Sequence, residues 1–199
     1  AHVPELDRRW CLIHCTHVTE SEVVDLADRS AVAGLCPTTE ANLGDGVFPA
    51  KDHLRAGGRF GIGSDSHISV SPVEELRTLE YAQRLTQRRR NVLADPAWDG
   101  ATGATLLAGA LAGGAQALGR PIGRLAAGCR ADILVLDAER PPLAELPTER
   151  LLDAAVFAGN TNPVRDVYVG GRPVIEQGRH PQEDAILAGY RRALAELVG

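Results

Sequence analysis

The chain has 199 residues, 44% of them hydrophobic, and a net charge of −5 with acidic and basic side chains mixed along its length. That is enough apolar material to bury one large core or two small ones. No basic stripe points to nucleic acid or an anionic surface, no stretch approaches the ~18 apolar residues of a membrane span, and the first residues carry no signal-peptide pattern.

Residues 10–14 (Trp-Cys-Leu-Ile-His) form the first predicted strand, with Trp10, Leu12 and His14 on one face and Cys11 and Ile13 on the other. A helix over 20–29 follows, with apolar Val23, Val24, Leu26 and Ala27, so His14 stands where a strand turns toward a helix. Residues 31–36 are the second strand. After it, residues 37–49 read as a long loop, and long strand-to-helix loops tend to carry function. Asn42, Asp45 and the neighbouring glycines either shape a site there or simply turn the chain. A short helix over 50–56 leads to the third strand, 59–63, which breaks into Ser64-Asp-Ser-His67. The next helix spans 72–92, and the basic run from Arg84 to Arg90 reads as its solvated face.

Residues 102–119 are helical in pattern despite Gly109, Gly113 and Gly114. Each glycine costs roughly 1 kcal/mol against alanine in a helix, so these are expected to admit a close neighbour. A strand over 131–137, a turn at Pro141-Pro142, and a hairpin of 164–169 and 172–176 around Gly170-Gly171 come next. An amphipathic helix over 181–198 follows. Strand–helix alternation over 10–92 argues for a parallel sheet covered by helices. The cysteines Cys11, Cys15, Cys36 and Cys129 form no C-x-x-C pair and no disulfide framework. Cys11 and Cys36 lie in predicted strands as small apolar residues. A reducing, cytoplasmic setting is expected.

Side chains at the carboxyl ends of barrel strands point into the active-site mouth. Asp65, placed there, can hold a metal or move a proton; the plainer alternative is that it caps the following helix. His14 taken alone is more often structural. One strand end offering imidazole and another offering carboxylate favour catalysis. His67, two residues past Asp65, either faces substrate or caps the next helix. His17 is off the strand face and reads as structural, as do Asp132 and Asp137 around their strand. His53 and His180 are expected in solvent.

The order Leu12-Ile-His14, Asn42-Leu-Gly-Asp-Gly46, Gly63-Ser-Asp-Ser-His67 and Gly123-Arg-Leu-Ala-Ala-Gly-Cys-Arg-Ala-Asp-Ile-Leu-Val-Leu-Asp137 is similar to the amidohydrolase superfamily. The hairpin from Val164 to Gly178 resembles its closing pair of strands. Within it, Trp10-Cys-Leu-Ile-His-Cys-Thr-His17, Thr39-Glu-Ala-Asn-Leu-Gly-Asp-Gly46, Gly63-Ser-Asp-Ser-His-Ile-Ser69 and Val73-Glu-Glu-Leu-Arg77 resemble the formimidoylglutamate deiminase branch. The resemblance covers nearly the whole chain from Trp10 onward.

It implies an α/β fold: the C-terminal portion of a metal-dependent (β/α)8 TIM barrel over 1–119, part of a small β-sandwich over 120–180, and a C-terminal helix over 181–199. His14 matches the histidine ending the sixth barrel strand, which assists proton transfer. Asp65 matches the aspartate ending the eighth, a metal ligand and proton shuttle. Ser64, Ser66, His67 and Asn42 are placed to orient such ligands or to line the substrate. The family also needs a His-x-His pair, a further metal-binding histidine and a nearby glutamate. No His-x-His occurs here, and His2 stands alone ahead of the first strand. A barrel takes eight strands and three are in view, so the expected partners are a missing N-terminal half, a small-molecule substrate and, when complete, a second copy in a homodimer.

For the complete enzyme the resemblance implies one divalent metal, zinc, which can bring the pKa of a water to about 7. That water adds to the formimino carbon of N-formimino-L-glutamate, Asp65 and His14 redistribute the protons, and ammonia leaves to give N-formyl-L-glutamate, a step of histidine degradation. Two alternatives stay open. One is a deaminase acting on guanine or an adenosine derivative, although those relatives usually read Thr-Asp-Gly where this chain has Ser64-Asp-Ser-His67. A purine site also wants apolar or aromatic walls, and the loops 37–49 and 64–72 hold one aromatic, Phe48. The other alternative is a non-catalytic chain that only assembles with its other half.

Overall fold

The computed structural model describes residues 5–199, so His2 lies outside the described residues. Three parallel strands, β1 (Cys11–Ile13), β2 (Val32–Leu35) and β3 (Arg59–Ile62), pair in chain order. Leu12 sits opposite Ala33, and Ala33 opposite Phe60. The middle strand, β2, is buried along its whole length, as expected where both sheet faces are covered. Between β1 and β2 runs α1 (Glu20–Asp28). Thr19 and Glu22 close its first turn reciprocally, each side chain accepting the other's backbone N–H.

A helix, α2 (Pro37–Leu43), stands where the sequence pattern reads as a loop. Pro37 fits its first turn because the N–H it lacks would have no partner there. Gly44, at φ 72°, ends it in the left-handed conformation. Then come α3 (Ala50–Arg55) and α4 (Pro72–Gln87), the latter capped by Ser71, whose hydroxyl accepts the Glu74 N–H at 3.3 Å.

α4 stops short of the expected 92. Glu80, fully buried on it, accepts the N–H groups of Val92 and Leu93 at 2.9 and 3.0 Å and the Arg84 guanidinium at 2.6 Å. The returning chain therefore leaves the helix to satisfy a buried carboxylate. Arg84 is thus no member of a solvated face: it neutralises Glu80 and lies over the rings of Tyr81 and Phe157.

Against β3 packs α5 (Thr102–Leu118). A Cβ on Gly113 would run into the Phe60 carbonyl, and one on Gly109 into the Phe60 ring, so these two glycines admit the strand; Gly114 borders open space. The core joins Leu26, Ala33, Leu35, Phe60, Leu76 and Leu106. A second short helix without a sequence signature, α6 (Leu151–Phe157), packs on α4 and α5. His53 overturns the expectation of solvent exposure. It is completely buried, its Nε2 donating to the Arg59 carbonyl at 3.0 Å and its ring meeting Phe48 edge-on. His180 is half-buried, its Nδ1 accepting the Gln182 N–H at 3.1 Å.

The second sheet is antiparallel: β4 (Ile133–Leu136), β5 (Val164–Val169) and β6 (Arg172–Ile175). Gly170 and Gly171, both at positive φ, make the two-residue hairpin turn. Asp132 accepts the Gly170 N–H at 2.8 Å and Asp137 the Glu139 N–H at 3.2 Å, so both carboxylates secure turns. The last helix, α7 (Glu183–Val198), buries none of its residues and leaves Ile186, Tyr190, Leu194 and Leu197 exposed. Among the described residues no helix is long and apolar enough to cross a membrane.

Candidate active site

Parallel strands end at the same edge of their sheet, and the residues just beyond β1 and β3 therefore emerge together. His14 N–H donates to the Gly34 carbonyl at 2.8 Å and Gly63 N–H to the Leu35 carbonyl at 3.0 Å, so both strands stay paired with β2 up to that edge. There the backbone turns into the left-handed region at His14 (φ 67°), Cys15 (φ 54°) and Asp65 (φ 47°). Asp is enriched in that region and His is tolerated there, whereas β-branched residues are outliers. The result brings His14 Nε2 to 3.7 Å from Asp65 Oδ2. The Asp65 side chain keeps 44% of its surface exposed, and no described residue donates a hydrogen bond to it. The helix that follows begins at Pro72 with Ser71 as its cap. Asp65 caps nothing, and the plainer alternative for it fails.

Glu40 is the site residue that sequence reasoning missed. It is buried on α2, and its Oε1 accepts the Cys36 N–H at 2.8 Å while facing His14 Nδ1 at 3.3 Å. Burial raises its carboxyl above the ordinary value, against the opposing pull of Cys36 N–H and His14. The helix carrying it is tied down twice. Buried Glu75 of α4 accepts the Thr38 N–H at 3.0 Å and the Thr38 hydroxyl, and the Thr39 hydroxyl donates to the Ser64 carbonyl at 2.7 Å. Pro37 and Gly44 are the sequence signals for this arrangement, since proline at a first helical turn and glycine just past a last one would have placed Glu40 on a helix rather than in a loop.

The other expected site residues divide. Ser64 serves through its carbonyl, which accepts from both Thr39 and the His67 N–H, the latter at 2.9 Å. His67 is half-buried, and its Nδ1 accepts the Ser69 N–H at 3.1 Å, so it closes a turn and does not cap α4. Ser66 is exposed at the same edge as Asp65. Asn42 lies on the exposed side of α2 and is not brought to His14 or Asp65 by any hydrogen bond among the described residues. His17 is exposed. Phe48 turns into the core, which leaves the two loops without an aromatic wall at this edge.

Two donor sets could meet a metal. His14, Cys36 and Glu40 bring one ligand atom each within 4.8 Å of the others. Burial pushes the Cys36 thiol up to about 11, with the Glu40 charge adding to the effect. A cation there would have to ionise that thiol. Asp65 presents a different case: a hard oxygen donor, open at the strand edge, unengaged by N–H donors and beside an imidazole that can take a proton. Asp65 fits a divalent metal. Catalytic zinc takes three or more protein ligands, of which this is one.

An amidohydrolase family model matches residues 2–174, and the chain belongs to that family. It is 55% identical to formimidoylglutamate deiminase of Pseudomonas aeruginosa over 193 residues, covering 97% of this chain and 42% of the relative. The crystal structure of an amidohydrolase from Brucella melitensis superposes with a TM-score of 0.89 at 45% identity, over 98% of this chain and 43% of that one. An adenosine deaminase from Xanthomonas campestris with bound zinc superposes with a TM-score of 0.80 at 27% identity, over 94% of this chain and 42% of that one. The chain thus spans less than half the length of these relatives.

Proposed function

We propose that this chain contributes the His14–Asp65 edge to the active site of a metal-dependent hydrolase that converts N-formimino-L-glutamate to N-formyl-L-glutamate and ammonia, as in histidine degradation. The carrying observation is the approach of His14 Nε2 to Asp65 Oδ2 at neighbouring strand ends, in a chain 55% identical to a formimidoylglutamate deiminase. In this reading residues 1–119 belong to a (β/α)8 barrel and 120–180 to a β-sandwich, followed by a C-terminal helix. The enzyme is cytoplasmic and homodimeric, and the remaining strands and ligands lie outside these residues.

The metal, zinc by analogy with the adenosine deaminase that holds it, would have Asp65 as its ligand from this chain and would supply a water acidic enough to ionise near neutral pH. Asp65 holds and passes on the proton released as water adds to the C=N carbon. His14 Nε2, facing Asp65, relays that proton to the nitrogen that departs. The added hydroxyl then gives up its own proton to that nitrogen through the same pair, the carbon–nitrogen bond breaks with its electron pair leaving on ammonia, and the carbon becomes a formyl carbonyl. Ser66 and the polar turn around His67 border the reacting head of a small, flexible substrate.

A side-by-side ammonia assay on the protein that carries this chain tests the reading. N-formimino-L-glutamate is expected to react at least ~10²-fold more efficiently than guanine or adenosine, the discrimination that a mismatched polar site readily gives. Equal or better purine turnover moves the assignment to the ring-amine deaminases.

A further inference from the structure

We propose that Glu40 is the positioning residue of His14: its buried carboxylate accepts the Nδ1–H of the imidazole and thereby holds the ring with Nε2 turned toward Asp65. This rests on the hydrolase reading for its consequence in catalysis, and on geometry alone for the tautomer. Which nitrogen of a histidine carries the proton is set by the hydrogen bond that the other makes. Here the ring's Nδ1 partner is Glu40 Oε1 at 3.3 Å, and the same oxygen accepts the Cys36 N–H at 2.8 Å. An oxygen already accepting one N–H presents lone pairs, and a proton on Glu40 would take the other oxygen. Nδ1 must then be the donor.

Glu40 can impose this because it is buried on a tethered helix. It is 5% exposed, and its helix is fixed to α4 by Thr38–Glu75 and to the loop after β3 by Thr39–Ser64. His14 is less constrained. Its side chain is one-third exposed, and its only other charged neighbour among the described residues is Asp65 at 3.7 Å. Without Glu40 the ring is free to turn or to place its proton on Nε2. A proton there would face Asp65 as a donor and remove the acceptor that a relay needs. Cys36, the third member of the cluster, supplies its backbone N–H to this arrangement and not its thiol.

The test reads the tautomer directly, by long-range nitrogen–proton NMR of the metal-free protein with nitrogen-labelled histidine. The His14 signals are assigned by their loss in His14→Asn. Wild type is expected to show His14 protonated at Nδ1, and Glu40→Gln to lose that preference. Glu40→Asp, which keeps a carboxylate, should restore it in part. In the metal-loaded enzyme Glu40→Gln should lower kcat about 10–10²-fold with KM unchanged, the usual range for a group orienting a site residue from outside it. A wild-type His14 protonated at Nε2, or a folded Glu40→Gln with an unaltered tautomer, overturns the proposal. The wild-type spectrum decides even if Glu40→Gln does not fold. A wild-type enzyme inactive on formiminoglutamate sinks the functional reading instead, and leaves the spectrum to judge Glu40.

Discussion

Thr38 binds Glu75 through both its N–H and its hydroxyl, one to each carboxylate oxygen, and so joins the first turn of α2 to the first turn of α4. Glu75 is 1% exposed, and both its oxygens accept from Thr38, which is itself buried. The pair fixes the helix from which Glu40 reaches His14. Glu75→Ala leaves the Thr38 donors without acceptors, at about 1–3 kcal/mol for each buried group left unpaired. The expected outcome is a lower urea midpoint at an unchanged slope, with Glu75→Gln less damaging because its carbonyl still accepts one bond. A midpoint within error of wild type would show that the contact carries no stability.

The chemistry proposed for the strand edge makes Asp65 and His14 unequal. Asp65→Asn removes a ligand charge and a proton carrier together, and should abolish ammonia release. His14→Ala removes a proton relay, and should cost on the order of 10² to 10⁴ in rate, the range for a general acid–base group. Wild-type turnover in either variant would remove that residue from the mechanism.

Metal content separates the two donor sets. Asp65 supplies one ligand where catalytic zinc uses at least three, so the 199-residue chain by itself should retain no stoichiometric zinc after dialysis at micromolar metal. One zinc held tightly per chain, and lost in Cys36→Ala, would instead place a metal among His14, Cys36 and Glu40.

Thiol reactivity follows from burial. Cys15 and Cys36 are each pushed up to about 11, chiefly by desolvation, from an ordinary 9.0. At pH 8 both should alkylate roughly two orders of magnitude more slowly than an unburied cysteine. Because the folded values lie above the unfolded ones, the unfolded chain ionises first. Stability held below pH 9 should therefore fall as the pH rises toward about 11. Rapid modification of Cys36 in the folded protein, traced by peptide mapping, would contradict its burial beside Glu40.

The strands and long helices were legible because their signals are repeated. Apolar runs at 10–14, 31–36 and 59–63 coincide with β1 to β3, and the glycine pair 170–171 marks the hairpin. The approach of His14 to Asp65 was legible because one ends such a run and the other lies two residues beyond one. Glu40 was not, since α2 is seven residues long and its surroundings of Pro, Thr, Asn and Gly resemble a loop. No period of 3.6 residues can declare itself over so short a stretch. His53 was misplaced for a related reason. Nothing in its neighbourhood announces that the carbonyl of Arg59 and the ring of Phe48 enclose it. Glu80 and Glu75 carry the same lesson, because the donors that allow a carboxylate to be buried come from other elements.

The left-handed backbone at His14 and Asp65 also governs how a substrate complex could be captured. An inactive variant suited to that purpose must lose proton transfer and keep its loop in place. Asparagine is at ease at positive φ and close to both side chains in size, whereas valine or isoleucine would be driven out of that region. Asp65→Asn and His14→Asn are therefore the variants in which to soak the proposed substrate. A bulky branched replacement would report a displaced loop in place of a trapped ligand.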